Sequence, residues 1–281
     1  MKTIGIDLGG DNPVAVTEGI SEAFKSNPDI QVVLYKPTGS IVSVPCRDNT
    51  SLNPIESAIE DLEKGDLTVF VTATNSRSLL VGSKTFRMPG VLRPGLLIPV
   101  PTWKDEICHF IDGGATSHVA DPEVFQGWTK VGREYLIDRC GIVAPKIGLL
   151  NNAKERADPV MVKIHQSLKS EAGYVGLIEP KDIFHNSVDL ALVDGFTGNI
   201  GLKILEQVAG LCLFRAARKV APYCLEAARD IKALKEEELG YDAFLKSPLL
   251  GIKYPVFRVH GSADKNQIAK TLLLLYKEYC L

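Results

Sequence analysis

Again and again in this sequence a short apolar run breaks into a polar, glycine- or asparagine-bearing turn and then into a segment with helical spacing. The clearest case is Val188 to Val193, followed by Asp194-Gly195-Phe196-Thr197-Gly198-Asn199-Ile200-Gly201-Leu202-Lys203 and then by Ile204, Leu205, Val208, Leu211 and Cys212. The run has the length of a buried strand, and the apolar positions beyond the turn recur as on one face of a helix. Parallel strands need a crossover, and a helix supplies it. A chain built from such units therefore folds as a mainly parallel sheet with helices on both faces, a three-layer αβα arrangement. Residues 1–281 read as a single α/β domain, with 205–245 as the candidate helical insert.

Local signals place the other elements. Asn12-Pro13 and Asn53-Pro54 set a capping side chain before a proline suited to a first helical position, and Asp121-Pro122 opens a long helix reaching about Cys140. Strands are expected over Lys2–Asp7, Gln31–Tyr35, Leu67–Ala73, Lys146–Asn151, Tyr174–Ile178 and Pro255–His260, with Leu96–Pro99 and Glu106–Asp112 as an antiparallel pair. Further helices are expected over Ser76–Phe86, Asp158–Lys169, Leu225–Glu238 and Lys265–Tyr279.

Composition excludes several classes of function. A net charge of −2 gives no global attraction to nucleic acid. No apolar run is long enough to span a bilayer. The N-terminus reads as a strand rather than a signal peptide, since Asp7 and Asp11 interrupt it. A cytoplasmic protein is expected. The six cysteines show no CxxC pair and no metal-ligand spacing, so no metal is expected and buried thiols are the plain reading. There is no GxGxxG fingerprint and no P-loop, and hence no nucleotide cofactor; GxSxG and HExxH are missing too.

The strand ends carry the chemistry. They are Asp7-Leu8-Gly9-Gly10-Asp11-Asn12, Thr72-Ala73-Thr74-Asn75-Ser76, Asp112-Gly113-Gly114-Ala115-Thr116, Leu150-Asn151, Asp194 to Asn199, and His260-Gly261-Ser262. In a parallel sheet these ends point the same way and converge on one cleft. At the start of the helix after Asp194, free N–H groups and the helix dipole favour an anion, and Gly195 and Gly198 would let it approach the backbone. Ordinary capped-turn chemistry accounts for that segment equally well when it is read alone. A compact anion such as phosphate needs no protein nucleophile beside it, because the dianion is itself one. His260 is the general acid or base by residue type, with a structural histidine as the equal alternative. His109, His118, His165 and His185 read as structural or surface residues. Asp7 and Asp194 either hold a substrate group or cap turns.

Taken in order, these stretches resemble the PlsX family, the phosphate acyltransferases of bacterial phospholipid synthesis. The residues that carry the resemblance are Ile6 to Pro13, Arg93-Pro94-Gly95-Leu96, Ile111 to Ala115, Pro145 to Asn151, Asp182-Ile183-Phe184, Asp194 to Asn199, Pro248 to Gly251 and His260-Gly261-Ser262. The resemblance implies a fold like isocitrate/isopropylmalate dehydrogenase and phosphotransacetylase. It implies a homodimer that moves a fatty acyl group from acyl carrier protein, or another acyl thioester, to inorganic phosphate. It also implies peripheral contact with the inner face of the cell membrane through a helical insert, here about Leu211–Leu245. His260, Asp194 and Asn199 are then the catalytic candidates. Asp7, Gly9, Gly10, Asp11, Asn12, Asn75, Arg77, Asp112, Gly114, Asn151, Gly195, Phe196, Thr197, Gly198, Lys203, Gly261 and Ser262 are the phosphate- or substrate-binding candidates. The family's Ala-Gly-Asn-Thr-Gly turn stands here as Ala73-Thr74-Asn75-Ser76-Arg77, so Arg77 either fills the channel or adds an anion contact. Two alternatives stay open: an acetyl-phosphate-forming relative like the component C subunit of glycine reductase, and a non-catalytic binding protein on the same fold.

Overall fold

The computed structural model describes residues 2–9, 12–37, 47–104, 106–153, 158–237, 245–261 and 263–281. Within them the strands form two sheets. The first contains β1 (Ile4–Asp7), β2 (Val32–Pro37), β3 (Arg47–Ser51), β4 (Val69–Thr72), β5 (Gly95–Leu96), β11 (Ser247–Leu250) and β12 (Val256–Arg258), in the order β3-β2-β1-β4-β12-β11-β5. The second contains β6 (Ile98–Pro101), β7 (Ile107–Ile111), β8 (Ile147–Leu150), β9 (Tyr174–Ile178) and β10 (Leu190–Leu192), in the order β6-β7-β10-β8-β9. Pairing is parallel except where β11 meets β12 and β5, and where β6 meets β7. The single expected sheet is thus two, and the chain passes from one to the other at Leu97, between β5 and β6.

Helices cover both sheets, as the alternation requires. They are α1 (Pro13–Ser26), α2 (Pro54–Lys64), α3 (Ser76–Ser83), α4 (Pro122–Cys140), α5 (Pro159–Leu168), α6 (Pro180–Phe184), α7 (Gly195–Val220), α8 (Leu225–Glu237) and α9 (Lys265–Leu275). Helix α3 runs on into a 3-10 turn at Lys84–Phe86, and α9 ends in a π turn at Tyr276–Cys280. Asn12 caps α1 by accepting from the Ala15 N–H, and Asp121 caps α4 through Glu123. Asn53 makes no such bond to α2; its amide donates to the Glu56 carboxylate instead.

Three apolar layers hold the arrangement. Ile4, Ile6, Leu34, Val69 and Val71 of the first sheet pack against Val16 and Ile20 of α1 and Ile268 and Leu272 of α9. Its other face, with Tyr35 and Phe70, packs on Ile55, Ile59 and Leu79 of α2 and α3, and this layer continues to Ile98, Phe110 and Ala191 of the second sheet. The far face of the second sheet buries Leu149, Leu190 and Leu192 against Trp128 of α4 and Ile164 and Leu168 of α5. Helix α7 is different, because only Gly195, Gly198 and Ala217 along it are buried. The thiols also depart from expectation: Cys108 and Cys280 are buried, but Cys140, Cys212 and Cys224 are exposed. Among the described residues no helix is long and apolar enough to cross a membrane.

Candidate functional site

Strands β7 and β10 lie side by side and parallel, Leu192 opposite Ile111, so the two acids just beyond them reach the same sheet edge. Asp112 is completely buried there. Its Oδ1 accepts from the N–H groups of Leu96, Gly114 and Ala115, at 3.0, 3.0 and 2.8 Å, and its Oδ2 accepts from the Thr116 N–H and hydroxyl. Burial pushes the Asp112 carboxyl pKa up, while the bonds from Thr116, Leu96 and Ala115 pull the other way. The side chain therefore fixes the loop Gly113–Ser117 and ties it to β5. The first turn of α7 lies directly against this loop. A Cβ on Gly198 would sit 2.1 Å from the Asp112 carbonyl oxygen, and one on Gly195 would sit 2.3 Å from that of Thr116. These two glycines make room for protein backbone where the sequence suggested room for a ligand.

Asp194 is the cap of α7. Its Oδ1 accepts from the N–H groups of Phe196 and Thr197, both at 3.1 Å, its Oδ2 accepts from the Thr197 hydroxyl at 2.7 Å, and its carbonyl accepts from the Gly198 N–H. The donors that would greet an anion at this helix start are thus already engaged by a carboxylate.

Cationic side chains gather instead on the opposite side of the Gly113–Ser117 loop. A cleft of about 780 Å³ is lined by Arg77, Leu80, Lys84 and Arg87 from α3 and the turn after it, by Leu92-Arg93-Pro94, and by Gly114-Ala115-Thr116-Ser117. Four of these residues are basic and none is acidic. Arg87 is partly structural, since its Nε donates to the Lys84 carbonyl at 3.1 Å and its guanidinium also donates to the Leu92 carbonyl. Asn75 caps α3 by accepting from the Ser78 N–H, which places Arg77 in the helix's first turn. Asn199 adjoins the cleft from behind: a Cβ on Gly114, whose φ is +119°, would lie 3.0 Å from the Asn199 Cβ.

At the end of the first sheet, Asp7 turns away from solvent. Its Oδ2 accepts from the Thr72 hydroxyl at 2.8 Å and its Oδ1 from the Ala73 N–H at 3.2 Å. Burial raises its pKa to about 6 against the pull of those bonds. Gly9 packs on Thr74, and Asn12 serves α1 as a cap. The Asn151 amide donates to the Ala153 carbonyl at 2.6 Å. His260, followed by Gly261, lies over α7, its Nε2 4.0 Å from Glu206. Lys203 is exposed on the same helix. Gly10, Asp11 and Ser262 lie outside the described residues. Glu206 follows Asp194 by twelve positions, which is about 18 Å of helix, so His260 and Asp194 do not form one catalytic pair.

The histidine beside Asp194 is His118. Its Nδ1 is 3.7 Å from the Asp194 Oδ1, and its ring packs on Phe196 with centroids 4.1 Å apart. Sequence reasoning passed over this residue, and over Lys84, Arg87 and Arg93 as an anion surface. Arg77 and Lys84 are seven positions apart, two helical turns, which is the one signal that could have grouped them. Nothing in the sequence brings His118 to Asp194; only the pairing of β7 with β10 does. Among the described residues no group of three or more His, Cys, Asp or Glu side chains is placed to hold a metal ion.

The family described as "Fatty acid synthesis protein" matches residues 40–274. The chain is 28% identical to a phosphate acyltransferase of Streptococcus uberis, over 97% of this chain and 92% of the relative. It is 27% identical to a phosphate acyltransferase of Pediococcus pentosaceus, over 98% and 90%. Among solved structures it is similar to a branched-chain phosphotransacylase from Enterococcus faecalis, with a TM-score of 0.61, 13% identity and 96% of each chain covered. It is also similar to 4-hydroxythreonine-4-phosphate dehydrogenase from Klebsiella pneumoniae, with a TM-score of 0.55, 13% identity, and 97% of this chain and 96% of that one covered. These two likenesses show the α/β fold.

Proposed function

The chain belongs to the fatty acid synthesis protein family, and from that premise we propose that it is a phosphate acyltransferase that uses the cleft beside Gly114–Ser117 to bring inorganic phosphate to an acyl thioester. Its relatives are named for that activity. The observation that carries the assignment to this cleft is its lining, four basic side chains and no acid, closed on one side by the loop that Asp112 holds. Cations of this kind concentrate and orient a dianion, and orientation is most of what phosphate needs in order to act as a nucleophile. Asn199, seated against Gly114, offers a side-chain donor to the thioester carbonyl as its oxygen gains charge, while the N–H groups of Gly114, Ala115 and Thr116 stay on Asp112. The basic rim suits an acidic acyl carrier protein as the donor. Purified protein mixed with acyl carrier protein thioester should release thiol only when phosphate is present. Arg93→Ala and Lys84→Ala should each raise the phosphate KM by about tenfold, the loss of one charge-assisted contact. Thiol release at the same rate without phosphate removes the reading, and unchanged phosphate saturation in both variants moves the site elsewhere. Asn199→Ala should lower kcat with little change in that KM.

Helix α7 supports the homodimer as a second part of the proposal. Ile200, Ile204, Val208, Leu211 and Phe214 are all exposed along it. Their spacing of three and four residues averages close to that of a seam between paired helices. A second copy of this chain would cover the row. Val208→Glu with Leu211→Glu should then shift the sedimentation of the protein from dimer to monomer. A monomeric wild type that binds vesicles of anionic phospholipid would assign the row to a membrane surface.

A further inference from the structure

We propose that a second cleft, where the two sheets meet, binds a small aliphatic amine or guanidine through its protonated nitrogen. This cleft shares no lining residue with the cationic one, and its ligand is independent of the acyltransferase reading.

The cleft holds about 710 Å³, a volume typical of small-molecule sites. Its walls come from both sheets and from two helices. Leu97 and Pro99 lie where the chain crosses between the sheets, Pro248 belongs to β11, Tyr135 to α4 and Leu274 to α9. These groups suit an alkyl stem.

The charged lining is opposite in sign to that of the cationic cleft. Glu106, Asp189 and Glu278 stand against one lysine, Lys246, and Glu278 and Lys246 pair with each other. Among the described residues neither Glu106 nor Asp189 forms an ion pair. Glu106 accepts from the Asn186 amide, and Asp189 Oδ2 accepts from the Lys146 N–H at 2.7 Å. Both donors are uncharged, so two negative charges remain without a counterion in the cleft wall.

A second observation points to the same ligand. Two buried side-chain atoms have no hydrogen-bond partner, His109 Nδ1 and Asn186 Oδ1, and both residues line this cleft. His109 is 9% exposed, and its backbone N–H donates to the Asp189 carbonyl, which sets the ring beside that acid. Burial lowers the His109 pKa to about 4, so near neutral pH the ring is uncharged and one of its nitrogens can accept. The Glu106 carboxylate can only accept, so the Asn186 group facing it is the NH₂ and the unpartnered atom is the carbonyl oxygen. Buried polar atoms are costly to leave unpaired, and what these two lack is a donor. Two carboxylates, an amide oxygen and a ring nitrogen all accept. An ammonium or guanidinium group answers them with several N–H donors and with the missing positive charge. An anion would meet two carboxylates, and an alcohol would leave both charges uncompensated. Among the described residues no three His, Cys, Asp or Glu side chains are grouped to hold a metal ion, which leaves an organic cation.

Calorimetric titration of the full chain with agmatine or cadaverine near neutral pH should show saturable binding of one amine per chain. Tetramethylammonium has the charge without N–H donors, and pentanol has the stem without the charge. Each should bind about tenfold more weakly or worse, the loss of a charge-assisted hydrogen bond. Asp189→Asn keeps an acceptor for the Lys146 N–H, and Glu106→Gln keeps one for the Asn186 amide, so each removes charge alone. Each should raise the amine Kd by about tenfold. Lys84→Ala, in the cationic cleft, should leave that Kd unchanged. In the wild type the nitrogen resonance of His109 Nδ1 should move when agmatine is added. The proposal is overturned by the absence of saturable binding of both amines, by equal binding of tetramethylammonium, or by an amine Kd that neither Asp189→Asn nor Glu106→Gln alters.

Discussion

At the end of β1 the carboxylate of Asp7 turns inward onto the neighbouring strand; at the end of β7 the carboxylate of Asp112 turns onto the loop that follows it. The two segments read almost alike, Asp7-Leu8-Gly9-Gly10 and Asp112-Gly113-Gly114. Both acids are buried, and in both burial raises the pKa. The difference lies in what each one holds. Asp7 accepts from Thr72 and Ala73, and from the Gly9 N–H in its own turn, and so joins β1 to β4 within one sheet. Asp112 accepts from five donors, on β5 and on its own loop, and so joins the two sheets and shapes one wall of the cleft. Similar letters at a strand end therefore do not predict similar roles; the neighbouring strands decide which donors the carboxylate meets.

The comparison breaks most visibly at Asp112. Asp112→Ala strips the acceptor from five donors, of which those on Leu96 and Ala115 belong to buried residues. The loss should be about 3–5 kcal/mol in urea unfolding, the range for removing one partner of a buried, charged network. The phosphate-dependent rate should fall with it, because the Gly114–Ser117 wall loses its shape. Asp7→Ala, with fewer donors released, should cost less. Equal losses would show that the extra bonds at Asp112 contribute nothing.

How much of this was legible in the sequence differs between the two regions. The strand–turn–helix units were, because apolar period and capping residues are local signals, and Asn12, Asp121 and Asp158 all cap the helices they precede. Strand β3 was not, since Arg47-Asp48-Asn49-Thr50-Ser51 contains no apolar residue and is held by its pairing with β2 and by polar bonds to α2, Asn49 to Asp61 and Ser57 to Ser51. Strand β11 was missed for another reason, and β5 was merged with β6 in the expected Leu96–Pro99 strand: both are short and antiparallel, and they fall outside the βα rhythm that drew attention to the rest. The candidates were read at the strand ends; of them Arg77 and Gly114 line the cleft, and Asn199 adjoins Gly114. Lys84, Arg87 and Arg93 reach it from twenty or more positions before the Gly113–Ser117 loop, and His118 meets Asp194 across two strands. Those are contacts of the tertiary fold, and no local pattern encodes them.

A finer test of the same comparison uses pH. Burial raises the Asp7 pKa from 3.8 to about 6. Between those values the folded protein keeps this proton while the unfolded chain releases it. The folded state then binds more protons, so stability falls as pH rises through that window. The contribution is fully present below pH 3.8 and is lost above about pH 6. Two pKa units correspond to about 3 kcal/mol, at about 1.4 kcal/mol per unit. Asp112 titrates in the same direction, so the total slope belongs to neither acid alone. Asp7→Asn removes one contribution and leaves the other. The unfolding free energy of the wild type, measured against that of Asp7→Asn, should therefore fall by about 2 kcal/mol between roughly pH 4 and pH 7. A difference that stays constant across that range would mean that Thr72 and Ala73 stabilise the charged form enough to cancel burial. Asp7 would then be an ionised strand clamp, and the two acids would differ in protonation as well as in what they hold.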